Sequence, residues 1–227
     1  MLFFVTLVEI KTIIKMKRFL LVALTLLSLK FYAQQETDSS MYDKGWASYE
    51  LGKYKDAIMY LNKAIALNPK YADAYAERGA AFIELKNYNA AIWDYNKALE
   101  LNPTDWELYY GRASANYEAK NYLQALEDYD KAIELNPKDA DSYNDRALVK
   151  YELNRYEESI EDYNKAIAIN PKDAIYYENR GNSENMIAKF ADAIADYTKA
   201  LELDPNDKEA KKYLREAEKD LAKQNNK

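Results

Sequence analysis

Residues 72–105 read ADAYAERGAAFIELKNYNAAIWDYNKALELNPTD, and residues 106–139 read WELYYGRASANYEAKNYLQALEDYDKAIELNPKD. The second stretch repeats the first with changes. Arg78 returns as Arg112, Tyr88 as Tyr122, Ala91 as Ala125, Asp94 as Asp128, Ala98 as Ala132 and Pro103 as Pro137. The offset is 34 residues, and all five prolines of the chain, Pro69, Pro103, Pro137, Pro171 and Pro205, keep it. A fixed period of this size marks stacked structural repeats. Alignment on the prolines gives five units: 38–71, 72–105, 106–139, 140–173 and 174–207.

The repetition extends to packing positions. The eighth place of each unit is small: Gly45, Gly79, Ala113, Ala147, Gly181. So is the twentieth (Ala57, Ala91, Ala125, Ser159, Ala193), and the twenty-seventh is always alanine (Ala64, Ala98, Ala132, Ala166, Ala200). Small side chains let two helix backbones approach, and the neighbouring Ile58, Ile92, Leu126, Ile160 and Ile194 fill the space beside them. Within a unit the apolar spacing is helical, as in Ala91, Ile92, Tyr95, Ala98 and Leu99. The pattern predicts two helices per unit, broken at Gly52-Lys53-Tyr54, Lys86-Asn87-Tyr88, Lys120-Asn121-Tyr122 and Asn154-Arg155-Tyr156. Proline ends each second helix because it disfavours helical backbone in the residue before it. Asp105, Asp139, Asp173 and Asp207 then stand where the next helix needs an N-cap, and Thr37 stands there for the first unit. Beyond Asp207 the stripe Ala210, Tyr213, Leu214, Ala217 and Leu221, opposite a polar side, predicts a capping helix over 208–223 and a disordered tail over 224–227.

Residues 38–207, about three quarters of the chain, resemble the tetratricopeptide repeat in period and in the alternation of small and aromatic columns. The resemblance implies an all-α, right-handed α-solenoid of five helix pairs plus the C-terminal cap. It also implies a concave groove lined by the first helix of each unit. Carried onto this sequence, the partner-binding residues are Tyr42, Trp46, Tyr49, Tyr110, Tyr117, Glu118, Asn144, Leu148, Tyr151, Glu152, Glu178 and Asn182. The lining positions contain no lysine or arginine. Such a groove suits a protein or peptide with basic or apolar side chains, since carboxylates need a paired charge once desolvated. The basic clamp with which some members of the family hold an acidic C-terminal tail is absent: Tyr42, Trp46, Glu77, Glu107 and Gly111 occupy those places.

A second repeated pattern has a structural reading. Arg78, Arg112, Arg146 and Arg180 are each followed sixteen residues later by an aspartate: Asp94, Asp128, Asp162 and Asp196. Unit 1 lacks both members, having Lys44 and Tyr60. Presence and absence together point to ion pairs between helices, because the arginine fork fits a carboxylate in a buried seam.

Composition removes several classes of chemistry. The 227 residues include no cysteine and no histidine, which excludes a Cys nucleophile, a Ser-His-Asp triad and a Cys/His zinc site. No Gly-rich phosphate loop occurs among the five glycines. Thirty-two basic residues against 38 acidic ones give a net charge of −6, contrary to what a nucleic-acid binder requires. The expectation is a non-catalytic interaction scaffold without a cofactor. Carbohydrate binding by the Tyr/Trp surface is the alternative, as is self-assembly through unit 1, where Met41, Trp46, Met59 and Tyr60 can leave apolar surface uncovered.

The first 33 residues differ from the rest. From Met16, a basic Met16-Lys17-Arg18 start leads into the apolar run Phe19–Leu29 and ends on Ala33 before Gln34. That is the order of a secretory signal peptide, with residues 1–15 upstream of the true start and 34–37 a short linker. Residues 1–33 hold five basic residues and one acidic residue, so cleavage near Ala33 leaves an exported, periplasmic or envelope chain of net charge −10. An uncleaved N-terminal membrane anchor is the alternative.

Overall fold

The computed structural model describes residues 37–226, together with Met16 and Thr25. Apart from those two residues, the leader expected over 1–33 lies outside the described residues, as do 34–36 of the linker.

Residues 37–226 form eleven helices and no strands. Unit 1 contains α1 (Asp38–Glu50) and α2 (Tyr54–Leu67), and unit 2 contains α3 (Ala72–Glu84) and α4 (Tyr88–Leu101). Unit 3 contains α5 (Trp106–Glu118) and α6 (Tyr122–Leu135), and unit 4 contains α7 (Ala140–Glu152) and α8 (Tyr156–Ile169). Unit 5 contains α9 (Ala174–Met186) and α10 (Phe190–Leu203), and α11 (Lys208–Asn225) follows. The last helix runs two residues past the end expected for the cap. Gln224 and Asn225 are therefore helical, and Asn226 Nδ2 donates to the Ala222 carbonyl at 2.8 Å, which ties down most of the predicted tail.

The helix ends follow from sequence. Asp105, Asp139, Asp173 and Asp207 accept hydrogen bonds from backbone N–H groups of the first turns of α5, α7, α9 and α11, and Thr37 does the same for α1. The second helices stop at Asn68, Asn102, Asn136, Asn170 and Asp204, each with φ between −137° and −126° and each directly before a proline. The first helices stop at a left-handed residue: Gly52, Lys86, Lys120, Asn154 and Ala188 all have φ between 57° and 68°.

Each helix packs on its partner within the unit and on the next helix of the chain. First helices also touch the first helices of adjacent units, α1 on α3 through α9 on α11. Among the described residues no second helix touches another second helix. The units therefore converge on the first-helix side, which makes that side the inner face of the solenoid.

The alanines of the twenty-seventh place are fully buried in all five units. Where unit 4 has Ser159 in the alanine column of the twentieth place, its hydroxyl donates to Ser183 of α9 at 2.8 Å, so the substitution is matched across the interface. Below the inner face lie four buried tyrosines one period apart, Tyr95, Tyr129, Tyr163 and Tyr197. Gly111 is required by the first of them, since a Cβ there would lie 2.4 Å from the Tyr95 ring. Met41 is also fully buried, contrary to the expectation that it helps expose apolar surface at unit 1, whereas Trp46 and Met59 are about half exposed.

Candidate functional site

The arginine series builds the seam between helices. Arg78 Nε and Nη2 donate to the two carboxylate oxygens of Asp94 at 2.8 and 2.6 Å. Arg112 on Asp128, Arg146 on Asp162 and Arg180 on Asp196 repeat this fork at distances of 2.6–2.9 Å. The remaining nitrogen, Nη1, reaches back to the preceding unit, to Asn62, Asn96, Asp130 and Asn164 in turn. Each guanidinium also lies over a tyrosine, 5.5 Å from Tyr75 and 5.6–5.7 Å from Tyr109, Tyr143 and Tyr177. One side chain thus joins three helices. The pairing is predicted by the sequence pattern; the asparagines and the stacked tyrosines are not.

On the inner face the predicted residues divide into distinct groups. Tyr42 stacks on Tyr71 with ring centres 5.0 Å apart. Tyr49, Tyr117 and Tyr151 pack against the first tyrosine of the following helix, Tyr54, Tyr122 and Tyr156, at 5.3–5.8 Å, so their rings wedge the helix breaks. Asn144 is buried and committed: its Nδ2 donates to Asp145 at 2.9 Å and its Oδ1 accepts from Asn179 at 3.1 Å. Asn182 accepts from the Tyr197 hydroxyl at 2.9 Å. Glu178 hydrogen-bonds Asp207, and burial followed by that contact raises its carboxyl to about 7. Trp46 remains open to solvent.

Glu118 and Glu152 are exposed but not unoccupied. Glu118 accepts from the Tyr88 hydroxyl at 3.2 Å and Glu152 from Tyr122 at 3.3 Å, each tyrosine belonging to the preceding unit. Glu84 bonds Tyr54 in the same way. These rungs end at unit 5, where Met186 takes the glutamate's place and Tyr156 turns to Asn154 at 2.6 Å.

The structure brings Tyr117, Glu118 and Leu148 together around a hollow of about 280 Å³, with Ile83 and Ser114 beside them. Tyr129 and Asp145 complete its lining. Ser114 Oγ and the Tyr129 hydroxyl are 3.2 Å apart, and the Tyr110 hydroxyl donates to Asp145 at 2.6 Å. The one available signal for Tyr129 was its recurrence as Tyr95, Tyr163 and Tyr197; Asp145 has no such signal, because its place in the other units is Asp43, Glu77, Gly111 and Asn179.

The electrostatics of this face are one-signed. Burial, then Glu77 and Asp73, push the Tyr42 hydroxyl up to about 12. Burial, then Glu152, does the same to Tyr117. Glu77 is raised by burial, then by Glu50, Asp73 and Glu107. Asp145 is raised by burial and by the nearby Asp141 and Asp139, against the lowering effect of its bonds to Tyr110 and Asn144. Every charged neighbour acting on these groups is an acid. Among the described residues there is no group of three or more acids placed to hold a metal ion. No described helix is long and apolar enough to cross a membrane.

A stack of helix pairs with a continuous inner face defines the class of helical-repeat interaction scaffolds. Family models described as TPR repeat match residues 45–86 and 147–183, and others described as tetratricopeptide repeat match 78–143, 128–161 and 176–207. The chain belongs to the tetratricopeptide repeat family. Among solved structures, the MamA protein is similar at 26% identity over 74% of this chain and 92% of that one, with a TM-score of 0.66. MamA from Desulfovibrio magneticus RS-1 (21% identity, 75% and 97% covered, TM-score 0.69) shares the fold. YrrB, described as a TPR protein with an unusual peptide-binding site, shares it too, at 18% identity, 79% and 91% covered, TM-score 0.65. No curated protein sequence matches the chain.

Proposed function

We propose that the chain is a non-catalytic scaffold that takes a partner segment rich in basic and apolar side chains along its inner face. The observation that carries this reading is the acidity of that face: Glu77 and Asp145 are partly buried, and among the described residues the charged groups that shift them are other acids. Desolvated carboxylates of this kind favour a partner that brings the missing charge. The half-exposed Trp46 and the tyrosine rings offer contact area at low entropic cost. Export through residues 16–33 belongs to the same proposal and places the partner in the cell envelope.

The test is capture of partners from an envelope extract by the chain and by a variant carrying Glu77→Gln, Glu107→Gln and Asp141→Asn. Partners of the inner face should be released by salt and lost with the variant. Partners held equally by both proteins and indifferent to salt would place the working surface elsewhere. Quenching of Trp46 by sugars with no salt dependence would favour the carbohydrate reading instead. Mass spectrometry of the envelope form should find Gln34 at the N-terminus; an intact leader would overturn cleavage.

A further inference from the structure

Four aspartates are buried in the stack, and each of them, Asp94, Asp128, Asp162 and Asp196, is clasped by an arginine at 2.6 Å. The partly buried Asp145 is held differently. Its Oδ2 accepts from the Tyr110 hydroxyl at 2.6 Å and its Oδ1 from Asn144 Nδ2 at 2.9 Å. Both donors are neutral, and the charged groups that bear on it are Asp141 and Asp139. Two hydrogen bonds leave further lone pairs on the carboxylate. Asp145 borders the 280 Å³ hollow between α3, α5 and α7, whose other walls include Ile83, Leu148 and the Tyr117 ring. Glu118 stands at the same hollow as a second acid.

We propose that this hollow is the seat for one basic side chain, arginine or lysine, of an extended partner segment, with Asp145 as its counter-ion. The inference rests on the reading of the inner face given above and names the residue that fixes the partner's register. A basic side chain has an apolar stem and a charged head, and it buries the first while pairing the second. Ile83 and Leu148 suit the stem, the Tyr117 face suits the cation, and Asp145 and Glu118 supply opposite charge. An acidic or wholly apolar side chain would leave Asp145 buried without a cation, which is the costly arrangement.

The repeat itself holds a precedent for a variant at Leu148. The Tyr129 hydroxyl meets Ser114, and the Tyr197 hydroxyl meets Asn182, fifteen residues earlier in each case. The corresponding residue for Tyr163 is Leu148, and the Tyr163 hydroxyl is buried without a partner. Leu148→Ser therefore gives Tyr163 the neighbour that Tyr129 already has, while removing an apolar wall of the hollow.

The experiment is fluorescence anisotropy of the full chain with a short labelled peptide alternating arginine and leucine, beside the same peptide with citrulline for arginine. The parent should bind the arginine peptide and lose at least about tenfold in affinity for the citrulline one. Asp145→Asn should weaken the arginine peptide to a similar extent and no longer distinguish the two, the signature of a coupled pair. Leu148→Ser should keep the parent's melting temperature and weaken binding. If Asp145→Asn still separates arginine from citrulline as strongly as the parent does, the basic residues sit elsewhere on the face; the seat is then wrong and the broader reading stands. Unchanged binding in Leu148→Ser also overturns the seat. If the parent binds neither peptide, or both equally, the basic-partner reading fails and the seat fails with it.

Discussion

Arg112 and Arg146 occupy the same place in successive units and make the same fork, yet their loss should not cost the same. Removing Arg112 leaves Asp128 almost fully buried with only Asn116, 3.3 Å away, as a side-chain donor. Removing Arg146 leaves Asp162 with Lys150, whose Nζ lies 2.7 Å from Oδ2. Arg112→Ala should destabilise by about 3–5 kcal/mol, as breaking a buried pair does, and Arg146→Ala by distinctly less. Urea denaturation of the two variants checks the order; equal losses would mean that Lys150 does not support Asp162. The ion pairs were legible because both members of each pair recur at one spacing and vanish together from unit 1. Their third partners, Asn62, Asn96, Asp130 and Asn164, were not, because they belong to the preceding unit and one of them changes identity. Asp145 was illegible for a related reason. Constant columns specify the stack, and the residues that distinguish one part of the inner face from another fall in the columns that vary.

Helix boundaries were legible almost residue by residue, because proline, aspartate and the mid-unit break each act locally. The last turn of α11 was missed because Gln224 and Asn225 continue no apolar stripe, and only the backbone itself carries them. The break has a weak point. At its left-handed position stand Gly52, Lys86, Lys120 and Asn154, but unit 5 has Ala188 at φ 59°. An L-residue with a Cβ is strained there, and alanine has no polar side chain to compensate. Ala188→Gly should raise stability by about 1 kcal/mol, measured by chemical denaturation, whereas the same change at Asn154 should do little. The rungs between tyrosine and glutamate belong to this scale as well. Tyr122→Phe removes the bond to the exposed Glu152 and should cost under about 1 kcal/mol in a melting experiment, since both groups return to water.

The whole molecule has a chemically distinct C-terminal end. In α9, Glu184 takes the place that Asn116 and Lys150 hold in earlier units, where both reach the aspartate of the seam. It is buried with one oxygen unpartnered, and it faces Asp196 and Asp192 as well as Arg180 and Lys189. Burial, then Asp196, raises its carboxyl to about 7. Glu178, bonded to the cap residue Asp207, is raised to about 7 in the same unit. Both groups keep a proton in the folded state that the unfolded chain releases near 4.5. Their favourable effect is therefore complete below that pH and is lost as pH rises to about 7. Hydrogen exchange should show α9–α11 opening more readily at pH 8 than at pH 5 relative to units 2 and 3, after correction for intrinsic exchange. Glu184→Gln should reduce that difference. An unaltered pH profile in the variant would remove Glu184 from the account.

The contact pattern along the stack has a mechanical meaning. Neighbouring units meet where the second helix of one packs on the first helix of the next; their first helices also touch, while their second helices remain apart from one another. A spine joined along one edge resists compression there and yields by fanning on the other, like the ribs of a folding screen. Small rotations at each of the four junctions between units would add along the length and change the end-to-end span with little disturbance of any single unit. A ligand lying along the joined edge would fix those rotations together, and the shape of the far side, and whatever is held there, would report its arrival.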